Sequence, residues 1–103
     1  MRKPIIAGNW KMNKTPSEAA ALAKEILEKV QDVKDVEVVV APTFVCLDKV
    51  GSVIKGTNLK LSSQNIFWED SGAYTGEISA SMLKDLSVEF VIVGHSERRQ
   101  FFN

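Results

Sequence analysis

The only histidine of the chain, His95, follows an apolar run in the segment VIVGHSERR. A neutral imidazole can donate a hydrogen bond to a substrate oxygen on which negative charge develops. Ser96 and Glu97 are typical of a first helical turn, and a helix N-terminus beside the ring disfavours the imidazolium form. The bland interpretation of His95 is a hydrogen-bonded histidine at a strand end. Glu97 could pair with a lysine across the site, or could simply be an acid of the first helical turn.

A lysine and an asparagine follow another apolar run near the beginning of the chain. Lys11 offers a compact positive charge that could hold an anion such as phosphate, although a solvated loop lysine is the simpler interpretation. Asn9 would face the same side of the chain as Lys11 if the backbone stays extended. Gly8 and Asn9 are also turn-forming residues, so Asn9 could instead close the strand.

These residues need elements to position them, and the sequence predicts an alternation of strands and helices. Short apolar runs predict buried strands at 4–8, 36–41, 58–62 and 88–94. The first helix has a capping signal, with Thr15 as the N-cap, Pro16 next and Glu18 three residues after the cap. Its apolar stripe ends at Val30.

Two shorter helices are predicted at about 46–54, with the lone Cys46 packed as a small buried hydrophobe, and at about 79–86. Met82, Leu83 and Leu86 form the apolar side of the last helix. Strand and helix alternation indicates the α/β class, with parallel strands and right-handed crossovers. Either an open doubly wound sheet or part of a (β/α)8 barrel would fit, and in both the functional residues lie at the carboxyl ends of the strands.

Composition bounds the function classes. The chain has 103 residues, with thirteen basic and thirteen acidic side chains, so we expect one small domain and no nucleic-acid partner. One cysteine cannot form an internal disulfide, and no ligand spacing indicates a metal site. No run approaches the ~20 apolar residues of a membrane span. We therefore expect no membrane association and a cytoplasmic protein. Dinucleotide and P-loop glycine motifs do not occur, which weighs against a nucleotide-binding sheet.

One loop carries more apolar surface than a solvated loop needs. Residues 67–76 include Phe67, Trp68 and Tyr74 together with two glycines. Exposed apolar loops of this kind indicate an interaction surface.

Taken together, the motifs resemble those of the triosephosphate isomerase family. The matching segments are AGNWKMN (7–13), APTF (41–44), QN (64–65), GAYTGEIS (72–79) and VIVGHSERRQFF (91–102), in order and at the family's spacing. The family fold is a (β/α)8 barrel of ~250 residues. The resemblance implies that residues 1–103 form a single partial barrel domain, comprising the first three βα units and the fourth strand.

By resemblance, the expected activity is the interconversion of dihydroxyacetone phosphate and glyceraldehyde 3-phosphate through an enediolate, without a cofactor. Lys11 matches the family's electrostatic substrate lysine, Asn9 a substrate-binding asparagine, and His95 the electrophile that polarises the carbonyl. Ser96 and Glu97 match residues that support the base and the lysine.

The resemblance also implies a homodimer, because Thr75 matches a loop tip that inserts into the partner subunit, with Tyr74 and Gly76 beside it. Three positions depart from the family pattern. Ser62 and Ser87 stand where glycine is usual, and Ala80 stands where proline is common. A glycine at position 87 would suit a left-handed helix cap, so Ser87 is expected to cost some stability.

The family's catalytic glutamate and phosphate-binding loops would follow later strands, beyond residue 103. Four strands of a barrel leave unpaired edges, so we expect the isolated chain not to persist as a folded monomer. Three hypotheses follow. The chain is part of an isomerase, for example one half of a split enzyme with a complementary barrel fragment as its partner; or it is a half-barrel that self-associates as an inactive assembly module; or it is an open-sheet phosphate-binding domain.

Overall fold

A computed structural model describes residues 3–93. Within these residues the predicted alternation is confirmed, as four strands and three helices follow one another in strict order. The strands are β1 (Ile5–Asn9), β2 (Glu37–Ala41), β3 (Leu59–Ser63) and β4 (Phe90–Val91), and the helices are α1 (Pro16–Val30), α2 (Phe44–Ile54) and α3 (Ala80–Asp85).

The four strands form one parallel sheet in the order β1-β2-β3-β4. A doubly wound sheet reverses its strand order at a switch point, and this sheet does not. Sequential parallel strands that curl in one direction, with helices as the crossovers, form part of a (β/α) barrel. The structure therefore decides between the two architectures that the sequence left open.

Helix α1 begins where its capping signal predicts. Thr15 Oγ1 accepts from the backbone N–H of Glu18 at 3.3 Å, and the Glu18 carboxylate accepts from the backbone N–H of Thr15 at 2.9 Å. The second of these bonds is made to the charged carboxylate and favours it, so the backbone N–H of Thr15 first, and then the Thr15 side chain, lower the pKa of Glu18. The fully buried Ala19 and Ala23 provide a smooth face for packing.

Helix α2 begins at Phe44, two residues earlier than the sequence predicted. Phe44 and Val45 are exposed, at 53% and 68%, so they lie outside the buried stripe on which the prediction rested. The buried stripe starts at Cys46 and continues through Leu47 and Val50. Cys46 is fully buried, as predicted.

Helix α3 is shorter than predicted, because Ser79 is its N-cap and Leu86 its C-cap. The chain leaves it through two backbone bonds, Ser87 N–H to Lys84 O at 3.0 Å and Val88 N–H to Leu83 O at 3.1 Å. This is the Schellman arrangement, which places the residue after the C-cap in the left-handed region. Ser87 has φ 61°, so the expected left-handed cap is confirmed.

Met82 was expected on the apolar side of α3, and this was wrong. Its side chain is 50% exposed, whereas Leu83 is buried. Met82 instead lies beside the loop that precedes the helix, next to Phe67 and Tyr74.

The core lies between the sheet and helices α1 and α2, and it leaves one edge uncovered. Residues of β2 and β3 are mostly buried, but all five residues of β1 are exposed. Ile5 and Ile6 are 52% and 59% exposed. The prediction that the first strand is buried was therefore wrong. Among residues 3–93, β1 pairs only with β2, and neither face of β1 is covered.

Candidate active site

Asn9 and Lys11 lie at the carboxyl end of β1, but not as an extended pair. The backbone N–H of Lys11 donates to Asn9 Oδ1 at 2.9 Å, and Lys11 has φ 53°. The backbone therefore turns sharply after β1, and the expectation that both side chains face one side of an extended strand was wrong. Asn9 closes the strand, which was the alternative, and in doing so it fixes the direction of the lysine backbone.

Gln64 is a functional candidate to which sequence reasoning gave no role. Its Nε2 donates to the carbonyl of Lys11 at 2.8 Å and to the carbonyl of Ala41 at 2.9 Å. One side chain after β3 thus links the loop after β1 to the end of β2. The motif QN showed that Gln64 lies at the rim of the barrel, but these partners are distant in sequence.

The rest of the loop after β1 is also held by side chains. Asn13 Nδ2 donates to Trp10 O at 2.9 Å, and the thiol of Cys46 donates to Lys14 O at 3.4 Å. Lys14 has φ 80°, a second non-glycine residue in the left-handed region. The loop that presents Lys11 is therefore an ordered structure with side-chain contacts from helix α2 and from the residue after β3.

The aromatic loop between β3 and α3 is closed on itself. The backbone N–H of Phe67 donates to Ile78 O at 2.7 Å, and the Phe67 ring stacks on Trp68 with ring centroids 4.1 Å apart. The Tyr74 ring also packs against Phe67, with its centroid 4.4 Å from that of Phe67. Gly72 has φ 134°, and a Cβ there would lie 2.7 Å from the Tyr74 ring, so the turn needs glycine.

The predicted interface residues lie at the tip of this loop. Tyr74, Thr75 and Gly76 are all exposed, and Gly76 has φ 88°. Asn65 Nδ2 donates to the Glu77 carboxylate at 3.1 Å, which ties the base of the loop to the end of β3. The tip is therefore presented by a fixed base.

The remaining predicted site residues, His95, Ser96 and Glu97, lie outside the described residues. Among residues 3–93, no group of three or more histidine, cysteine, aspartate or glutamate side chains is placed to hold a metal ion. In the same stretch, no helix is long and apolar enough to cross a membrane.

Comparison with known proteins assigns this arrangement to a family. A family model described as "Triosephosphate isomerase" matches residues 4–103. The chain belongs to the triosephosphate isomerase family. The resemblance inferred from five short motifs is thereby confirmed.

Individual relatives agree with the family match. The chain is 63% identical over 102 residues to a triosephosphate isomerase of Caldanaerobacter subterraneus subsp. tengcongensis, covering 99% of this chain and 41% of the relative. It is 61% identical over 103 residues to one from Alkaliphilus oremlandii, again with 41% of the relative covered. The chain thus spans about two fifths of the length of the curated triosephosphate isomerases it matches.

A solved structure gives the same result for the fold. The crystal structure of triosephosphate isomerase from Bartonella henselae superposes with a TM-score of 0.90 at 38% identity. The superposition covers 98% of this chain and 41% of that one. The curled sheet of four parallel strands is therefore the corresponding part of a triosephosphate isomerase barrel.

Proposed function

We propose that this chain supplies the lysine, asparagine and histidine part of a triosephosphate isomerase active site, which acts in glycolysis and gluconeogenesis. The observation that carries the proposal is the fixed turn at the carboxyl end of β1. There Asn9 binds the backbone N–H of Lys11, and Gln64 binds its carbonyl. Active sites of (β/α)8 barrels lie at that end of the strands.

Each residue has a role in the proposed reaction. The Lys11 ammonium attracts the phosphorylated triose and stabilises negative charge on the reacting oxygens, and Asn9 helps to bind the substrate. His95, as a neutral imidazole, donates a hydrogen bond to the carbonyl oxygen as the enediolate forms. Ser96 and Glu97 support the base and the lysine. The proton itself moves to and from a glutamate in the part of the relatives that this chain does not span, and no cofactor takes part.

We also propose a homodimeric, cytoplasmic enzyme, with Thr75, Tyr74 and Gly76 at the subunit contact. Trp68, Tyr74 and Met82 support this part, since they expose 83%, 43% and 50% of their surface around one closed loop. An ordered loop with exposed aromatic side chains loses little conformational entropy on binding.

The alternative function is a catalytically inactive half-barrel that self-associates as an assembly module. The exposed β1, with Ile5 and Ile6 half uncovered, favours it. Unpaired strand edges template further strands. Self-association of the 103-residue chain without isomerase activity, in every context tested, would support this alternative against the first.

The test joins this chain to the remainder of an active relative. Residues 1–103 are followed by the part of the Caldanaerobacter enzyme beyond the matched region, and this product is called the joined chain. We expect the joined chain to isomerise glyceraldehyde 3-phosphate, and its Lys11→Met variant to be slower by on the order of 10²- to 10³-fold. The isolated chain should show no turnover above that of its own His95→Gln variant.

A joined chain that unfolds cooperatively on heating but is no faster than its Lys11→Met variant would contradict the proposed function. Turnover by the isolated chain that disappears in His95→Gln would show that a carboxylate within residues 1–103 serves as the base.

A further inference from the structure

The backbone of Lys11 adopts a conformation that its own chemistry disfavours. A φ of 53° is left-handed, which costs an L-residue with a Cβ roughly 1–2 kcal/mol. Such conformations persist only where surrounding contacts impose them, and they occur often at functional sites. Some group around Lys11 must therefore hold the turn.

Hydrogen bonds around Lys11 connect the carboxyl ends of three strands, β1, β2 and β3. The backbone N–H of Trp10 donates to Ala41 O at 3.1 Å, which continues the β1–β2 ladder up to the residue before the lysine. Gln64 Nε2 donates to that same Ala41 carbonyl and to the Lys11 carbonyl. The Ala41 carbonyl is thus a common acceptor, and Gln64 fixes the lysine carbonyl relative to it.

The hydrogen bond from Gln64 to the Lys11 carbonyl is the one that determines the turn. The Asn9 side chain binds the N–H that enters Lys11, and this bond is local, so it could move with the loop as a unit. Gln64 follows a strand in which four of five residues are buried, and its side-chain amide binds the backbone carbonyl of Lys11. With both sides of the residue bound, the Cα–Cβ direction of Lys11 is set by the sheet.

We propose that Gln64 is a positioning residue for Lys11: its side-chain amide holds the lysine in the left-handed turn and so aims the ammonium group at the substrate. This inference rests on the proposed function for its kinetic consequence, though not for its structural one. Without the amide, Lys11 can relax to negative φ, which redirects the side chain and loses preorganisation.

The chain offers a matched control in Asn58. Its Nδ2 also donates to two main-chain carbonyls, those of Val30 and Val33, at 2.7 and 3.0 Å. Asn58 lies just before β3, at the opposite end of the strand from Gln64. Gln64→Met and Asn58→Leu therefore each remove one amide and two such bonds at similar side-chain size, and they differ in what the bonds held.

The first measurement is steady-state kinetics of both variants in the joined chain. We expect Gln64→Met to lower kcat/KM about ten- to hundredfold, and Asn58→Leu to leave it within about twofold, while both lower the melting temperature. Gln64→Asn keeps a polar amide on a side chain one methylene shorter, and it serves as the second variant if Gln64→Met does not fold. We expect it to lower kcat/KM as well. Equal kcat/KM for the Gln64 and Asn58 variants would overturn the proposal.

The second measurement reads the lysine backbone directly. In protein labelled with ¹³C-lysine, the one-bond Cα–Hα coupling of Lys11 distinguishes positive from negative φ. It should change in the Gln64 variants and stay unchanged in Asn58→Leu. An unchanged coupling in the Gln64 variants would overturn the proposal even if their activity fell.

The two measurements separate failure of this inference from failure of the proposed function. If the unsubstituted joined chain is inactive but its Lys11 coupling changes on Gln64 substitution, the proposed function is contradicted and the positioning role is supported. If the unsubstituted joined chain is active and its Gln64 variants keep both the coupling and kcat/KM, the proposed function is supported and the positioning role is contradicted.

Discussion

Two side-chain amides flank strand β3, one before it and one after it. Each donates hydrogen bonds to two main-chain carbonyls, but the two amides lie at opposite ends of the strand. Asn58, just before the strand, bridges Val30 O and Val33 O. Gln64, just after it, bridges Lys11 O and Ala41 O. In each case one amide nitrogen joins two carbonyls from segments that precede β3 in sequence.

What the amides hold is different. Val30 ends helix α1, and the Val33 N–H donates to its carbonyl at 2.9 Å, so Asn58 completes a relaxed helix end. Gln64 instead binds a lysine in a disfavoured conformation. The same chemistry thus contributes stability at the amino end of the strand and side-chain geometry at the carboxyl end. This division agrees with the general placement of stability and catalysis in (β/α)8 barrels.

The largest expected effect comes from replacing the lysine with the residue that prefers its conformation. Lys11→Gly removes the ammonium group and also the steric cost of a positive φ. In the joined chain we expect a loss of activity on the order of 10²- to 10³-fold with no fall in melting temperature. Isomerisation rate and thermal unfolding, measured on the same preparation, test this.

Lys11→Met serves as the control for Lys11→Gly, since it loses the charge but keeps the strain. A melting temperature of Lys11→Gly below that of Lys11→Met would show that the left-handed turn carries no cost at this site. The contrast between a relaxed end and a strained end of the sheet would then disappear.

A smaller effect is expected at Ser87, which is left-handed with no side-chain amide holding it. Its conformation is imposed by the two backbone bonds that end α3. Ser87→Gly should raise the free energy of unfolding by about 0.5–1 kcal/mol, because glycine adopts positive φ without a steric cost. Chemical denaturation of the two joined chains measures the difference, with Ser87→Ala, expected to gain nothing, as the control.

Ser87→Gly also sharpens the comparison, because it should leave kcat/KM unchanged. Strain at the far end of the barrel can be relieved without affecting catalysis, whereas relief at Lys11 requires losing the lysine. A change in kcat/KM beyond about twofold in Ser87→Gly would contradict this.

The smallest expected effect concerns the Thr15–Glu18 capping box at the start of α1. Unlike the side-chain amides of Asn58 and Gln64, the Glu18 carboxyl titrates. Hydrogen bonds from Thr15 place the pKa of Glu18 below its ordinary value near 4.5. A carboxyl whose pKa is lower in the folded protein stabilises it above the unfolded pKa, and that contribution is lost as the pH falls through the folded pKa. The melting-temperature advantage over Glu18→Gln should therefore be largest near neutral pH and shrink below about pH 4.5.

The Glu18→Gln variant keeps a carbonyl oxygen that can accept the Thr15 bond but does not titrate, so it isolates the charge. A constant difference in melting temperature across the acid range would show that the carboxylate contributes no more than a neutral acceptor.

Sequence predicted best what local chemistry determines. The Thr15–Glu18 capping box lies within one turn and was predicted from those residues alone. The left-handed cap at Ser87 is also local, and it was predicted from the glycine that is usual there in the family. The helix start at Phe44 was missed because its first residues are exposed, and a burial stripe cannot show a turn that faces away from the core.

What depends on distant neighbours was not predictable. Gln64 meets Lys11 across 53 residues and Ala41 across 23, and no motif spacing carries that information. The left-handed φ of Lys11 was missed for the same reason, because lysine has no preference for it and only its surroundings impose it. Burial of β1 was wrongly predicted because an apolar run shows what a strand could bury, while its neighbours determine whether it does.

The bond from Gln64 to Lys11 also limits how this barrel can be divided and recombined. The lysine is encoded in the first βα unit, but its backbone geometry is set by the residue that follows the third strand. A gene crossover between α2 and β3 would combine this lysine with the residue that another parent carries after its third strand. Where that residue has no side-chain amide, the product would fold but its lysine would be misdirected. The smallest transferable piece that carries a correctly aimed lysine therefore extends from β1 through Gln64.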